Sequence, residues 1–309
     1  MAEPRRAPIG LILLVVVVIV GAGIGTAFLY EYNHPKPGSP LWTVHQGDNV
    51  TVNYIGMFGS GAQQGRVFDT SLYSVATNNL TYPKSLEFAL RGSASQYTPL
   101  AVTVGPSGSY SLAGLTFGTV VTGFWQGLIG LPVGKTQPIT VPPSLGYGPV
   151  IPSCLVTRPL SFTVAVLNPV AVAAFSTAYP GVNATPGTQF PDPHYGWTDL
   201  LLSTNATAVV VENLPSVGWS VPKSSWPVTV TSVTATTITL MNQLTPANAG
   251  LVLGKSPATN VCGSTKFLVS AVDPGAGTFT ELYDQASPPV NAEIQGQTLV
   301  FFVTVVAYY

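Results

Sequence analysis

The chain reads as an α+β protein, mostly β. Three observations lead there. Charged residues make up only 7% of its 309 residues and the net charge is −1, which argues against long salt-bridged helices and coiled coils. Glycine (31) and proline (28) are abundant and punctuate short runs in which Val and Thr alternate, the pattern of half-buried strands. In the region beyond the N-terminal apolar stretch, one run alone has convincing helical spacing: Val121, Phe124, Trp125, Leu128 and Leu131, closed by Pro132. No basic cluster follows the N-terminus, so no nucleic-acid partner is expected.

The first element is an uninterrupted apolar stretch from Ile9 to Leu29, preceded by Arg5 and Arg6. A helix of that length spans roughly 30 Å of hydrocarbon. It is longer than the apolar region of a cleaved signal peptide, about 7–15 residues. We therefore expect a single-pass plasma-membrane anchor over residues 9–29. The positive-inside rule puts residues 1–8 in the cytoplasm and the rest outside. Residues 30–43, with three prolines, read as an extended linker. Strand alternation starts near Val44 and continues through Val50, Val52 and Tyr54. A Ser/Thr/Asn-rich excursion over 72–98 precedes a strand at Leu100–Val104, and a Gly/Ser-rich one over 106–119 precedes the helix. Gly127 and Gly130 weaken that helix by about 1 kcal/mol each relative to alanine. A strand is expected at Ile139–Val141. Further strands are expected at Leu160–Leu167, Ala208–Glu212, Val228–Val233, Thr237–Met241, Lys266–Val272 and Leu299–Val306. No internal repeat is evident.

Four N-glycosylation triplets start at Asn49, Asn79, Asn183 and Asn205, consistent with an extracellular location. An oxidising compartment favours a disulfide between the two cysteines, Cys154 and Cys262. The three histidines, His34, His45 and His194, lack metal-ligand spacing. No G-x-S-x-G motif occurs. Gly254-Lys255-Ser256 looks like the end of a P-loop, but Ala249 stands where the earlier glycine is needed.

The most informative segment is Val120-Val121-Thr122-Gly123-Phe124-Trp125-Gln126-Gly127-Leu128, then Pro132-Val133-Gly134-Lys135, then Val141-Pro142-Pro143-Ser144-Leu145-Gly146-Tyr147-Gly148. It resembles the centre of FKBP-type peptidyl-prolyl cis/trans isomerases. Two flanking pieces match in the right order: Gly47–Tyr54 followed by Gly65–Ser71 upstream, and Gly296–Val303 downstream. The resemblance implies an antiparallel half-barrel sheet around one short helix, discontinuous over 44–148 and 295–309, with a β-rich domain inserted at 149–294. The insert looks like the insert-in-flap domain of SlyD-like and archaeal FKBP proteins, on Phe190–Trp197 and the later Val-Thr alternation. It is longer than that domain.

By resemblance, Tyr54, Phe68 and Phe301 are pocket-wall aromatics and Phe124 is the floor, although Trp125 beside it allows an exchange of roles. Val120 and Val121 meet the substrate through their backbone. Leu100 sits where another aromatic is common. Tyr147 donates to a substrate carbonyl, and Asp69 acts on the twisting amide. No cofactor or metal is implied. The expected activity is Xaa-Pro isomerisation that assists the folding of secreted or envelope proteins. Partners would be proline-containing unfolded or nascent chains, the membrane, and a macrolide inhibitor. The alternative is an inactive FKBP scaffold whose insertion works as a surface chaperone or protein-binding module.

Overall fold

The computed structural model describes residues 42–308 except 113, 114, 119, 223 and 257–259, with the side chains of 115–117 also left aside. The predicted anchor at 9–29 and most of the linker lie outside the described residues. Among the described residues, no helix is long and apolar enough to cross a membrane. The chain divides into two units. Among the described residues, the first comprises those up to Ser60, Gln64–Pro149 and those from Gly296 on; the second comprises Val150–Gln295 with Gly61–Gln63.

The first unit is one antiparallel sheet. Its strands are β1 (Asn49–Phe58), β2 (Val67–Thr70), β3 (Leu100–Thr103), β4 (Tyr110–Leu112), β5 (Leu115–Phe117), β6 (Thr136–Val141) and a C-terminal strand, Leu299–Tyr308. The order is β5-β4-β3-β1-C-terminal strand-β6, with β2 on β1. β1 alternates strictly, burying Val50, Val52, Tyr54, Gly56 and Phe58, so its inward row meets Phe301, Val303 and Val305 of the C-terminal strand. The predicted helix is shorter than its apolar run: α2 covers Thr122–Leu128 and follows a short α1 at Tyr73–Thr77. Gly130 lies beyond the helix at φ +85°, a left-handed position that favours glycine and ends the run. Gly127 is inside it because a β-carbon there would sit 2.2 Å from Cγ2 of Ile139 on β6. The glycine permits helix and sheet to approach closely enough to bury Phe124 and Leu128.

The second unit corrects two expectations. The expected strand Leu160–Leu167 is interrupted, and a repeat exists. Three outbound strands, β7 (Leu155–Pro159), β8 (Ser161–Ala165) and β9 (Leu167–Ala171), follow one another, and α3 (Val172–Ala178) comes next. The returning chain then makes β10 (Gln189–Pro191), β11 (Thr198–Thr204), β12 (Ala208–Asn213), β13 (Val228–Val233), β14 (Thr237–Asn242), β15 (Leu253–Lys255), β16 (Lys266–Asp273) and β17 (Thr278–Tyr283). They form three separate sheets: β10-β11-β12-β9, β13-β14-β8 and β15-β16-β17-β7. Each sheet is a hairpin completed by one outbound strand, taken in reverse order.

The three share fine detail. Each hairpin has a bulge at the same place, between Leu201 and Ser203, Val230 and Ser232, and Val269 and Ala271. The residue before each bulge accepts a hydrogen bond from a positive-φ glycine, Gly187, Gly218 or Gly250, at 2.7–2.8 Å. Trp197 Nε1 donates to Asn213 Oδ1 (3.2 Å), and at the equivalent positions Trp226 Nε1 donates to Asn242 Oδ1 (2.8 Å). Each asparagine then donates to a carbonyl of the outbound segment, Ala165 or Leu160.

The unit is thus three copies of one module, each inserted in the next. The first module closes its core with Phe175 of α3 and Tyr179 just after it. In the second core that place is taken by Trp197 of the first. Trp226 of the second module packs against Phe267 and Phe279 of the third. Cys154 and Cys262 are joined in a disulfide that ties the segment before β7 to the loop between β15 and β16.

Candidate active site

The site lies in the first unit. It begins with β1, whose alternation turns Tyr54 inward, and with Gly56 one pair further on. Gly56 sits opposite Phe301 in the sheet register. A β-carbon there would lie 2.7 Å from Phe68 Cζ and 3.1 Å from Phe301 Cε1. The glycine leaves the space in which those two rings meet edge to face, 5.5 Å between centroids. α2 brings Phe124 up from below, 4.9 Å from Phe301 and 6.2 Å from Tyr54. Four rings from four elements therefore form one aromatic cluster, with edge-to-face geometry that such pairs favour.

A cavity of about 240 Å³ opens over this cluster, lined by Tyr54, Phe68, Asp69, Leu100, Tyr110, Leu112, Val120, Val121, Phe124, Tyr147 and Phe301. Every site residue expected from the sequence is in that lining. Phe124 faces the cavity, whereas Trp125 is buried and does not line it. Tyr110 and Leu112 were not expected. They lie in the Gly/Ser-rich excursion, where β4 and β5 form a hairpin added to β3.

Polar groups stand at the edge of the cavity. Tyr54 Oη donates to Asp69 Oδ2 (2.5 Å). Arg91 Nη2 donates to Tyr54 Oη (2.9 Å) and forms an ion pair with Asp69 Oδ1. Burial and the adjacent Asp69 charge push the Tyr54 hydroxyl well above the usual phenol range, so it is a proton donor at any ordinary pH. Tyr147, after the one-turn 3-10 helix Pro143–Leu145, has its hydroxyl pushed up to about 12 by desolvation, then by Asp69 and Tyr110. It too stays protonated, although 39% of the residue is exposed.

Sequence reasoning did not single out Arg91. Its backbone N–H donates to Tyr97 Oη (2.9 Å) and its guanidinium lies 5.5 Å from the Tyr97 ring centroid. The long excursion 72–98 thereby returns a cation to Asp69.

The arrangement can take a small apolar group into an aromatic cup and offer a phenol donor and a carboxylate at its rim. It holds no nucleophile activated by a base. Residues 42–167 match the model of the FKBP-type peptidyl-prolyl cis-trans isomerase family. The match runs past Pro149 into the second unit and leaves out the C-terminal strand that supplies Phe301. The chain is also similar to a short-type peptidyl-prolyl cis-trans isomerase of Methanocaldococcus jannaschii, at 31% identity over 105 residues. That alignment covers 34% of this chain and 51% of the archaeal protein, so the chain spans about half the length of the relative it matches.

Proposed function

We propose that this protein catalyses cis/trans isomerisation of Xaa-Pro peptide bonds. The observation that carries the reading is the single cavity that gathers Tyr54, Phe68, Asp69, Phe124, Tyr147 and Phe301 from distant parts of the chain.

The chemistry needs no covalent intermediate. An amide loses its resonance on twisting, which sets a barrier of roughly 18–20 kcal/mol. The twisted amide is less polar than the planar one, so a dry aromatic cup costs it less. That difference lowers the barrier, since only interactions stronger in the transition state accelerate the step. The pyrrolidine ring sits on Phe124 between Tyr54, Phe68 and Phe301. Tyr147 donates to a neighbouring substrate carbonyl and fixes the peptide. As conjugation is lost, the carbonyl carbon becomes more electropositive. Asp69, held by Tyr54 and Arg91, places a fixed negative charge at the rim to favour that state.

We further propose that the chain is anchored by residues 9–29 in the plasma membrane with the described units outside. There it would assist the folding of secreted or envelope proteins, with the second unit holding unfolded segments near the pocket. Support comes from the apolar stretch and from the disulfide, which suits an oxidising compartment. Tethering of this kind raises local client concentration to the millimolar range when the spans match.

The test is the isomerisation rate of a short Xaa-Pro peptide with the wild type, Asp69→Ala and Tyr147→Phe. Uncatalysed exchange takes tens to hundreds of seconds. The wild type is expected to shorten that markedly, and both variants to lose most of the gain. A folded wild type that gives no acceleration would remove the enzyme reading.

A further inference from the structure

We propose that the β4–β5 hairpin sets the selectivity of this pocket, with Tyr110 as a second substrate-binding phenol beside Tyr147 and Leu112 as part of an aliphatic wall that selects an aliphatic residue next to proline. The proposal rests on the isomerase reading and deepens it. The cavity lining divides by chemistry. Tyr54, Phe68, Phe124 and Phe301 form the aromatic cup already described. Leu100, Leu112, Val120 and Val121 are aliphatic, carried by β3, by the hairpin paired to it and by the run into α2. Ser111 pairs with Ala101 and Tyr110 with Val102, so the hairpin extends the β3 side of the cavity outward. Leu100 itself is 5% exposed, whereas Leu112 is partly exposed. A side chain entering beside the proline therefore meets Leu112 before it meets Leu100. Tyr110 is close enough to Tyr147 to oppose ionisation of the Tyr147 phenol, which keeps Tyr147 a donor to a carbonyl of an extended peptide.

The experiment compares the full chain with Tyr110→Phe and Leu112→Ala on Leu-Pro, Ala-Pro and Glu-Pro peptides, reading both isomerisation and peptide affinity. Loss of one phenol donor is expected to lower kcat/KM about threefold to tenfold on all three peptides. Leu112→Ala is expected to lower the Leu-Pro to Ala-Pro preference about tenfold, the scale of a few methylenes in an apolar pocket. If the wild type binds these peptides without isomerising them, the isomerase reading fails while the affinity ratios still test the wall. Unchanged ratios in folded variants would overturn the proposal, whether or not the wild type turns over.

A separate observation comes from the three modules. Asp199 occupies the place held by Val228 in the second module and Phe267 in the third, opposite Asn213, Asn242 and Tyr283 respectively. It is fully buried, and its Oδ2 has no hydrogen-bond partner. Its Oδ1 accepts from Trp197 Nε1 (3.0 Å). The equivalent Trp226 makes its asparagine bond in the second module with no such carboxylate, so the fold does not need one. The buried Asp192 is near enough for its charge to act on Asp199. Asp192 Oδ1 is already engaged by the backbone N–H groups of His194 (2.7 Å) and Tyr195.

From this geometry we infer that Asp199 holds a proton in the folded state and makes the first module a pH-sensitive element. The other titratable groups near the pair are Tyr179, Tyr195 and His194. Burial, then the charge of Asp192, raises Asp199 to about 7. A raised carboxyl pKa means the folded state holds a proton that the unfolded state has released. The contribution of Asp199 to stability is therefore fully present below about pH 4 and is lost as pH rises through about 7.

The check is the melting temperature of the full chain from pH 5 to 8.5, beside Asp199→Val and Asp192→Asn. The wild type should melt lower as pH rises and both variants should lose that slope. A flat wild-type profile, or a slope kept by both variants, would refute the inference. Hydrogen exchange of β11 and β12 amides assigns the slope to the first module if one variant fails to fold.

Discussion

Asp69 is the residue on which the site turns, and two others decide how it is held. Tyr54 donates to one of its oxygens and Arg91 to the other. Arg91→Leu should leave the fold intact but let the carboxylate rotate, lowering kcat/KM for Xaa-Pro peptides about tenfold or more, the scale of a lost charge-assisted hydrogen bond. Tyr147 gives a pH prediction. Its hydroxyl is raised to about 12, so the neutral donor form persists and activity should show no loss from this group up to about pH 10. A basic limb with a midpoint near pH 9 that vanishes in Tyr147→Phe would contradict that. The nine residues named from sequence were legible because motifs of fixed local pattern carry them. Arg91 was not, since a lone arginine in a Ser/Thr-rich stretch has no local pattern that relates it to Asp69. Tyr110 and Leu112 were hidden for the same reason, in an excursion whose pairing to β3 only the folded sheet reveals.

At the scale of elements, the helix shows how a sequence rule can mislead. Gly127 looks like a weakness in helix propensity, yet the sheet requires it. Gly127→Ala would drive a β-carbon into Ile139. We expect a loss of about 1–3 kcal/mol in urea unfolding, where propensity alone predicts a gain. The modules went unseen for a different physical reason. Each takes its completing strand from the outbound segment in reverse order, so the copies are nested, and no fixed sequence period links them. The hairpin strands at Val228–Val233 and Thr237–Asn242 were readable from Val/Thr alternation. β7 and β9 were not, because Pro159 and Pro169 and their mixed exposure break the pattern. What repeats is the bulge and the positive-φ glycine in all three modules and the indole–asparagine bond in the first two, equivalences that only the strand pairing reveals. Trp226→Phe removes one such bond and should destabilise the second unit by about 1 kcal/mol or more by leaving Asn242 short of a donor.

Over the whole molecule, the boundary residues Pro149 and Gly296 lie beside Tyr147-Gly148 and the strand that bears Phe301. Both crossings thus fall next to residues of the site. The disulfide closes a separation of 108 residues. Chain-entropy reasoning sets its contribution at no more than about 4–5 kcal/mol. Reduction should therefore lower the unfolding midpoint of the second unit, seen in the fluorescence of Trp197, Trp219 and Trp226, while peptide isomerisation by the first unit continues.

The most direct test of the central claim is magnetisation-exchange NMR on a Leu-Pro peptide with a small molar fraction of the full chain. The aromatic pocket with Asp69 at its rim predicts exchange between cis and trans peptide that becomes fast on the one-second scale, saturates with peptide, and is lost in Asp69→Ala. Peptide signals that shift and broaden on binding, with cis/trans exchange left at its uncatalysed rate of tens to hundreds of seconds, would show an aromatic pocket that binds proline without turning it over.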